Sequence, residues 1–274
     1  MFAISILLIS GIMSAADPGF VVDVFPGSAE FPRNGEGSII ELTDGALLFV
    51  NTRFYGGSAD VAGADLVCVR STDGGRTWSN PEVAQKNVGV RNVMSASLRR
   101  LTDHKTSDGK HESGPIGFFY LVKNGDADLK VYLRVSNDES NAWGEPVCVT
   151  DRPAYHVMNN DRVLRTSKGR LLCPVAWTPD STKTNHYRSL CFISDDAGAT
   201  WRAGKGDVDV ARRGAMEPEV IEKKDGSIFM LVRTQLGRNW CAISTDGGDT
   251  WSTPEAFGPP SPEGPSTLRP IPGT

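Results

Sequence analysis

Apolar residues occur along this chain in short runs that alternate with polar ones and are cut off by Gly, Pro, Asp or Asn, and no stretch shows the three-to-four spacing of an amphipathic helix. That pattern predicts short strands joined by tight turns. The runs GSIIEL (Gly37–Leu42), MSASLRRL (Met94–Leu101), NDRVLRT (Asn160–Thr166) and EPEVIEK (Glu217–Lys223) read as equivalent first strands. Second strands follow after a turn: ALLFV from Ala46, IGFFYLV from Ile116, RLLCPV from Arg170 and SIFMLV from Ser227. A third strand then runs into a serine, and SNPEVA, GEPVCV, RAGKGDV and STPEAF supply a fourth.

Those serines open a repeated motif, S-x-D-x-G-x-T-W. It stands at Ser71–Trp78, Ser194–Trp201 and Ser244–Trp251, with a decayed copy, SNDESNAW, at Ser136–Trp143. Successive copies are 65, 58 and 50 residues apart, the signature of one structural unit repeated four times. Four antiparallel strands per unit, arrayed radially, make a β-propeller, so the expected class is all-β. Asp followed by Gly between strands forms a turn, because the carboxylate accepts backbone N–H bonds and Gly tolerates positive φ. Asp73, Asp196 and Asp246 therefore read as turn formers, not as ligand-binding groups.

With 29 Lys+Arg against 33 Asp+Glu the net charge is −4, which argues against a nucleic-acid partner. Residues 1–16 are uncharged beyond the amino terminus, mostly apolar, and end in small residues; they read as a signal peptide cleaved near Ala16, which predicts a secreted or periplasmic protein. No later stretch is long and apolar enough to be a membrane helix, so no membrane span is expected in the mature chain. Cys68, Cys191 and Cys241 each lie three residues before a motif serine, where the second repeat has Leu133. Such apolar slots in successive units lie too far apart for disulfides, and buried free thiols are expected. No Cys/His cluster suggests a metal, and no cofactor is implied.

In a propeller the first strands line a central channel, so polar residues at their starts face a shared cavity. These are Arg33, Asn34 and Glu36; Asn92 and Ser95; Asn159, Asn160, Asp161 and Arg162; then Glu217 and Glu219. The ends of the second strands add Arg53, Lys123, Trp177 and Arg233, expected to ring one mouth. A cavity of Arg, Asn and carboxylate suits an acidic, hydroxylated sugar.

The repeated motif resembles the Asp box (BNR repeat) of the sialidase, or neuraminidase, superfamily, over essentially the whole mature chain. The resemblance implies a six-bladed β-propeller and an exo-α-sialidase type of glycoside hydrolase acting on sialylated or other acidic glycans. MEPEVIEKKDGSIFMLVRT resembles the family segment in which Glu-Pro opens a strand and an Arg follows a DG turn, which implies Glu217 as the base that activates a Tyr nucleophile and Arg233 as a carboxylate-binding arginine. GSIIELTDGALLFVNTRFYGGSAD resembles the first family repeat, which implies Arg53 as a second such arginine and Asp60 as acid/base, with Asp65 a weaker substitute. Arg33, Asn92, Asn160, Asp161 and Arg162 complete the expected substrate-binding set. A Tyr nucleophile avoids repulsion from the substrate's own carboxylate, and its phenol, with a pKa near ~10, needs a neighbouring base.

The family's Arg-Ile-Pro is absent, and FPRNGEGSII offers only Arg33, out of register. The resemblance places the nucleophilic Tyr and a third arginine in later blades. PSTLRPIPGT looks like the opening strand of a fifth repeat, so the chain reads as a fragment of residues 17–274 with units at about 30–90, 91–155, 156–212 and 213–262 and a fifth beginning near 263, inactive by itself. Arg269 faces the channel in this reading without an assigned role. A non-catalytic carbohydrate-binding propeller, and a hydrolase or lyase for another acidic sugar, stay open as alternatives.

Overall fold

The computed structural model describes residues 19–102 and 104–269, so the expected signal peptide and the last five residues lie outside the described residues. Among the described residues all regular structure is β. The first sheet has the order β1 (Arg33–Glu41), β2 (Leu47–Tyr55), β3 (Gly63–Ser71), β4 (Glu82–Gln85), antiparallel throughout. The second repeat forms β5 (Asn92–Arg100), then a small hairpin of β6 (His104–Lys105) and β7 (Glu112–Ser113), then β8 (Ile116–Gly125), β9 (Asp128–Ser136) and β10 (Val147–Cys148). The third holds β11 (Tyr155–Val157), β12 (Leu164–Arg165), β13 (Leu171–Thr178), β14 (Arg188–Ser194) and β15 (Arg202–Ala203). The fourth sheet repeats the simple order with β16 (Met216–Glu222), β17 (Ile228–Arg233), β18 (Arg238–Ser244) and β19 (Glu255–Pro260).

Four separate sheets were expected, and the middle two are joined. The first strand of the third repeat is split into β11 and β12, and Tyr155 of β11 bridges in parallel to Leu129 of β9, which merges the two repeats into one nine-stranded path. Among the described residues no sheet closes on itself.

The hydrogen bonds of the Asp box explain its recurrence. Ser71 Oγ donates to Asp73 Oδ1 at 2.8 Å and accepts from Gly75 N at 2.9 Å; Asp73 accepts from Thr77 N and, at 2.7 Å, from Thr77 Oγ1. Trp78 Nε1 donates to Gly75 O. The box at Ser194–Trp201 repeats every one of these bonds. In the decayed copy Ser136, Asp138 and Ser140 keep the ring of bonds, but Ala142 has no hydroxyl to offer the second oxygen of Asp138.

The serine also sets the register. It pairs with Leu47, Ile116, Leu171 and Ile228 in the four second strands. Side chains alternate along a strand, so counting from that residue, even positions pack on the preceding sheet and odd positions on the following one. Ile116, Phe118, Tyr120 and Val122 meet Leu48 and Val50 of the first repeat. Phe119 and Leu121, from the other face, meet Leu171, Cys173 and Val175. Leu172 meets Ile228, Met230 and Val232. Each full burial contributes roughly 1.5–3 kcal/mol, and the sheets stack in chain order as a propeller's blades do. The first strands also touch: Asn160 Nδ2 of the third repeat donates to Gly37 O of the first at 2.8 Å, and Asp161 N to Ala96 O of the second at 2.9 Å. All five cysteines are free; Cys191 and Cys241 are buried, as is Cys173, whereas Cys68, expected to be buried, is half-buried.

Two outcomes follow from the boxes. The Thr hydroxyl, the Thr N–H and the Ser hydroxyl hold the carboxyls of Asp73 and Asp196 down at about 2. A carboxyl depressed on folding contributes stability above its unfolded value near ~4 and loses it as pH falls through the folded value. Acid unfolding followed by tryptophan fluorescence should therefore have its midpoint below about pH 4. Ala142→Thr should raise the melting temperature by about 1–2 °C, measured by calorimetry, by completing the second box.

Candidate active site

At the ends of the sheets opposite the Asp boxes, the first strands share one irregularity. The β1–β2, β5–β8 and β16–β17 ladders slip between Gly35 and Ser38, Met94 and Ser97, and Met216 and Glu219. Within each slip sits a non-glycine residue in the left-handed region: Glu36 (φ 59°), Ser95 (φ 60°) and Glu217 (φ 44°), with Asp161 (φ 55°) at the matching break of the third repeat. A left-handed non-glycine residue costs on the order of 1–3 kcal/mol, and such strain gathers at functional sites. The backbone packs too closely at the first bulge for a side chain to follow: a Cβ on Gly37 would lie 2.4 Å from Phe49 Cε2 and 2.7 Å from Val50 O.

The bulges aim side chains into a pocket of about 160 Å³ that holds three carboxyls, Glu36, Asp60 and Glu217. Lys123 and Arg213 supply positive charge to its wall, and Tyr155 and Tyr187 supply phenols. Arg33 Nη1 donates to Asp60 Oδ1 at 2.5 Å and its Nη2 to Glu36 Oε1 at 3.2 Å. Ser95 Oγ donates to the other oxygen of Glu36 at 3.0 Å. Arg233 Nη1 lies 3.0 Å from both oxygens of Glu217, and Glu263 links Arg233 to Arg213. Burial, followed by the negative charges of Asp60 and Glu217, pushes the Glu36 carboxyl up against the opposing pull of Ser95 and Arg33. Burial also raises Tyr155 to about 12, raises Tyr187, and lowers Lys123.

Asp60 and Glu217, 157 residues apart in sequence, therefore face one cavity, with Arg33 and Arg233 each bonded to one of them. Asn92 is fully buried and works from behind: its Nδ2 donates to Asp60 O and Ala62 O, pinning the loop that carries Asp60. Asp65, the substitute for Asp60, is bonded to Lys86 and Asn87 N, outside the pocket.

Arg53 is not brought to this pocket. Arg233 lies five residues beyond Ile228 and Lys123 seven beyond Ile116, whereas Arg53 and Trp177 lie six beyond Leu47 and Leu171. Odd and even positions point to opposite faces, so the expected ring of four splits into two pairs. The Arg53 guanidinium stacks 4.7 Å from the centre of the Phe31 ring instead, and Arg152 covers Trp177.

Asn160, Asp161 and Arg162 form a supporting layer beside the pocket. Arg162 and Glu219, each 3% exposed, make a buried ion pair, and Arg269 joins Glu219 Oε1 at 2.7 Å to the Asp161 carboxylate. Burial and the nearby Arg269 charge lower Arg162 to about 10. Asp161 Oδ1 accepts from Ser38 Oγ at 2.9 Å, locking the first and third repeats together. Tyr155, Tyr187 and Arg213 carried no signal of their own in the sequence, because they reach the pocket from segments with no repeated motif.

The family described as BNR repeat-like domain matches residues 153–268, and the BNR/Asp-box repeat matches residues 69–80. A sialidase of Paraclostridium sordellii is 27% identical over 78% of this chain and 56% of its own length. The chain spans little more than half the length of this relative and of a Clostridium perfringens sialidase, and less of other curated relatives. Among solved structures, a Dyadobacter fermentans protein of unknown function aligns with a TM-score of 0.68 at 21% identity, covering 84% of this chain and 70% of that one. A Trypanosoma rangeli sialidase in complex with sialic acid aligns with a TM-score of 0.61 at 21% identity, covering 80% and 37%.

Removing the Asn92 amide takes the side-chain donor from the Ala62 carbonyl and leaves the Asp60 carbonyl with Lys123 Nζ alone. Asn92→Ala should cost about 1–3 kcal/mol in chemical denaturation and should speed proteolysis in the 56–62 loop.

Proposed function

We propose, since the chain belongs to the sialidase superfamily, that its pocket is a glycosidase site of the exo-α-sialidase type, built on a six-bladed propeller and acting on terminal sialic acid or a related acidic sugar. The observation that carries this reading is the meeting of Glu36, Asp60 and Glu217 with Arg33 and Arg233 at one mouth. Cleavage at an anomeric carbon that bears a carboxylate builds positive charge on the ring beside a fixed negative one. The arginines hold the sugar carboxylate through charge-assisted bonds, which exchange for their bonds to Asp60 and Glu217. Glu217 acts as base toward a tyrosine nucleophile. Tyr155 and Tyr187 line the same pocket, and phenols kept protonated by burial need such a base. The resemblance gives the acid/base role to Asp60, and the pocket offers a second carboxyl, Glu36, on the same arginine.

The test is release of the reporter from a fluorogenic sialoside by the gene's full-length product. Glu217→Gln should lower kcat by roughly 10³-fold or more with the melting temperature retained. In calorimetric titration with N-acetylneuraminic acid, Arg233→Ala should weaken binding by about 10–100-fold, and Arg53→Ala should leave it unchanged. Cleavage of a uronide with none of a sialoside would transfer the site to another acidic sugar.

A further inference from the structure

We infer that the pocket takes a sugar carrying a second anionic group, and that Lys123 binds that group through its oxyanion, whether a sulfate ester, a phosphate ester or a further carboxylate. The inference rests on the reading of the pocket as a glycosidase site and narrows its substrate class. Lys123 is 4% exposed and lines the pocket from the end of β8. Its ammonium has several N–H donors, yet among the described residues it makes one hydrogen bond, to Asp60 O at 3.2 Å, and no ion pair. Buried charges are paired or fully hydrogen-bonded, because leaving water without compensation is costly. Lys123 is neither.

The carboxylates that act on it from farther off are Asp60, Asp126 and Glu36, and each is committed to another cation. Arg91 holds both oxygens of Asp126, at 2.7 and 2.8 Å. Asp60 and Glu36 share Arg33, and Ser95 donates to Glu36 as well. The other cations of the pocket differ from Lys123 in this respect. Arg33 and Arg233 are bonded to pocket carboxylates, and Arg213 to Glu263 and Asn185.

In the glycosidase reading Arg33 and Arg233 take the carboxylate of the sugar, so a sugar with that charge alone leaves Lys123 unanswered. An oxyanion supplies both things the ammonium lacks, a negative charge and acceptors for its remaining N–H groups. The bond to Asp60 O fixes where the ammonium sits, on the loop that Asn92 pins. Tyr155 shares this wall, with its ring centre 5.5 Å from Lys123 Nζ, and its phenol, kept protonated by burial, can donate to the same oxyanion. Burial lowers Lys123, and a bound anion acts the opposite way, holding the ammonium charged.

The test assays the full-length product on one sialoside bearing, at each free hydroxyl in turn, a sulfate ester, a phosphate ester or a carboxymethyl group, with the methyl ether at the same hydroxyl as the neutral control. The wild type should favour a charged form over its methyl ether by about 10–100-fold in kcat/KM, and which form is favoured identifies the oxyanion. Lys123→Gln keeps a donor for Asp60 O and removes the charge; it should abolish the preference. A Lys123 that only holds the Asp60 loop would lower both rates together and leave their ratio intact. No preference in the wild type, or a preference kept by Lys123→Gln, overturns the inference. A reading that needs no turnover is the ammonium NMR signal of Lys123, assigned by its loss in Lys123→Gln. Sodium sulfate should shift it and sodium chloride at equal ionic strength should not; an equal response to both overturns the inference. Failure of the sialidase reading is seen separately, as wild-type protein that neither cleaves nor binds any of these sialosides while sulfate still shifts the Lys123 signal.

Discussion

A serine hydroxyl that donates to an aspartate two residues on and accepts from a backbone N–H four residues on closes the turn after each third strand. The residue opposite that serine becomes the origin from which the second strand is counted. Because strand side chains have a period of two, this one pairing decides which residues face the sheet before and which face the sheet after. A slip of one position would empty the interfaces that hold Phe118, Phe119 and Tyr120. It would also exchange Arg233 for Thr234 beside Glu217. The turn at one end of the sheet thus controls the chemistry at the other.

At that other end the requirement is reversed. Regular pairing would send successive first-strand residues alternately into the two faces, where the core leaves no room for a carboxylate. The bulges add a residue, spend backbone strain, and turn Glu36, Ser95 and Glu217 into the pocket. What sustains the strain lies just beneath. Arg162 and Glu219 form a buried ion pair, which the exposed Arg269 ties to Asp161. Breaking a buried pair typically costs about 3–5 kcal/mol, because the remaining charge is left buried without that partner. Arg162 is better understood as part of this support than as a group that meets a ligand.

The pocket is balanced more than it is basic. Arg33 and Arg233 are each engaged with a carboxylate, so in the glycosidase reading proposed above the binding of an acidic sugar would be an exchange of partners. Exchange conserves the charge count inside a site of low dielectric, where an uncompensated ion would be costly. It also leaves displaced carboxylates beside the reacting centre, where acid and base are needed.

How much of this was legible in the chain follows from distance. The Asp box is local: its Ser, Asp, Gly and Thr lie within seven residues and bond to one another, so the motif declared its turn, the repeat and the all-β class directly. Asp60 and Glu217 were named through resemblance to family segments, and the structure places both at one pocket. Arg53 was grouped with Arg233 by counting along the strand from the turn glycine, whereas pairing across to the serine puts Arg53 at an even position and Arg233 at an odd one. Tyr155, Tyr187 and Arg213 reach the pocket through the stacking of repeats, which no local spacing encodes. The sequence by itself determined the short-range hydrogen bonding, and with it the unit and its repetition. Only the tertiary structure decided which side chains share a cavity and which carboxyls share an arginine, because both depend on the summed geometry of sheets packed face to face.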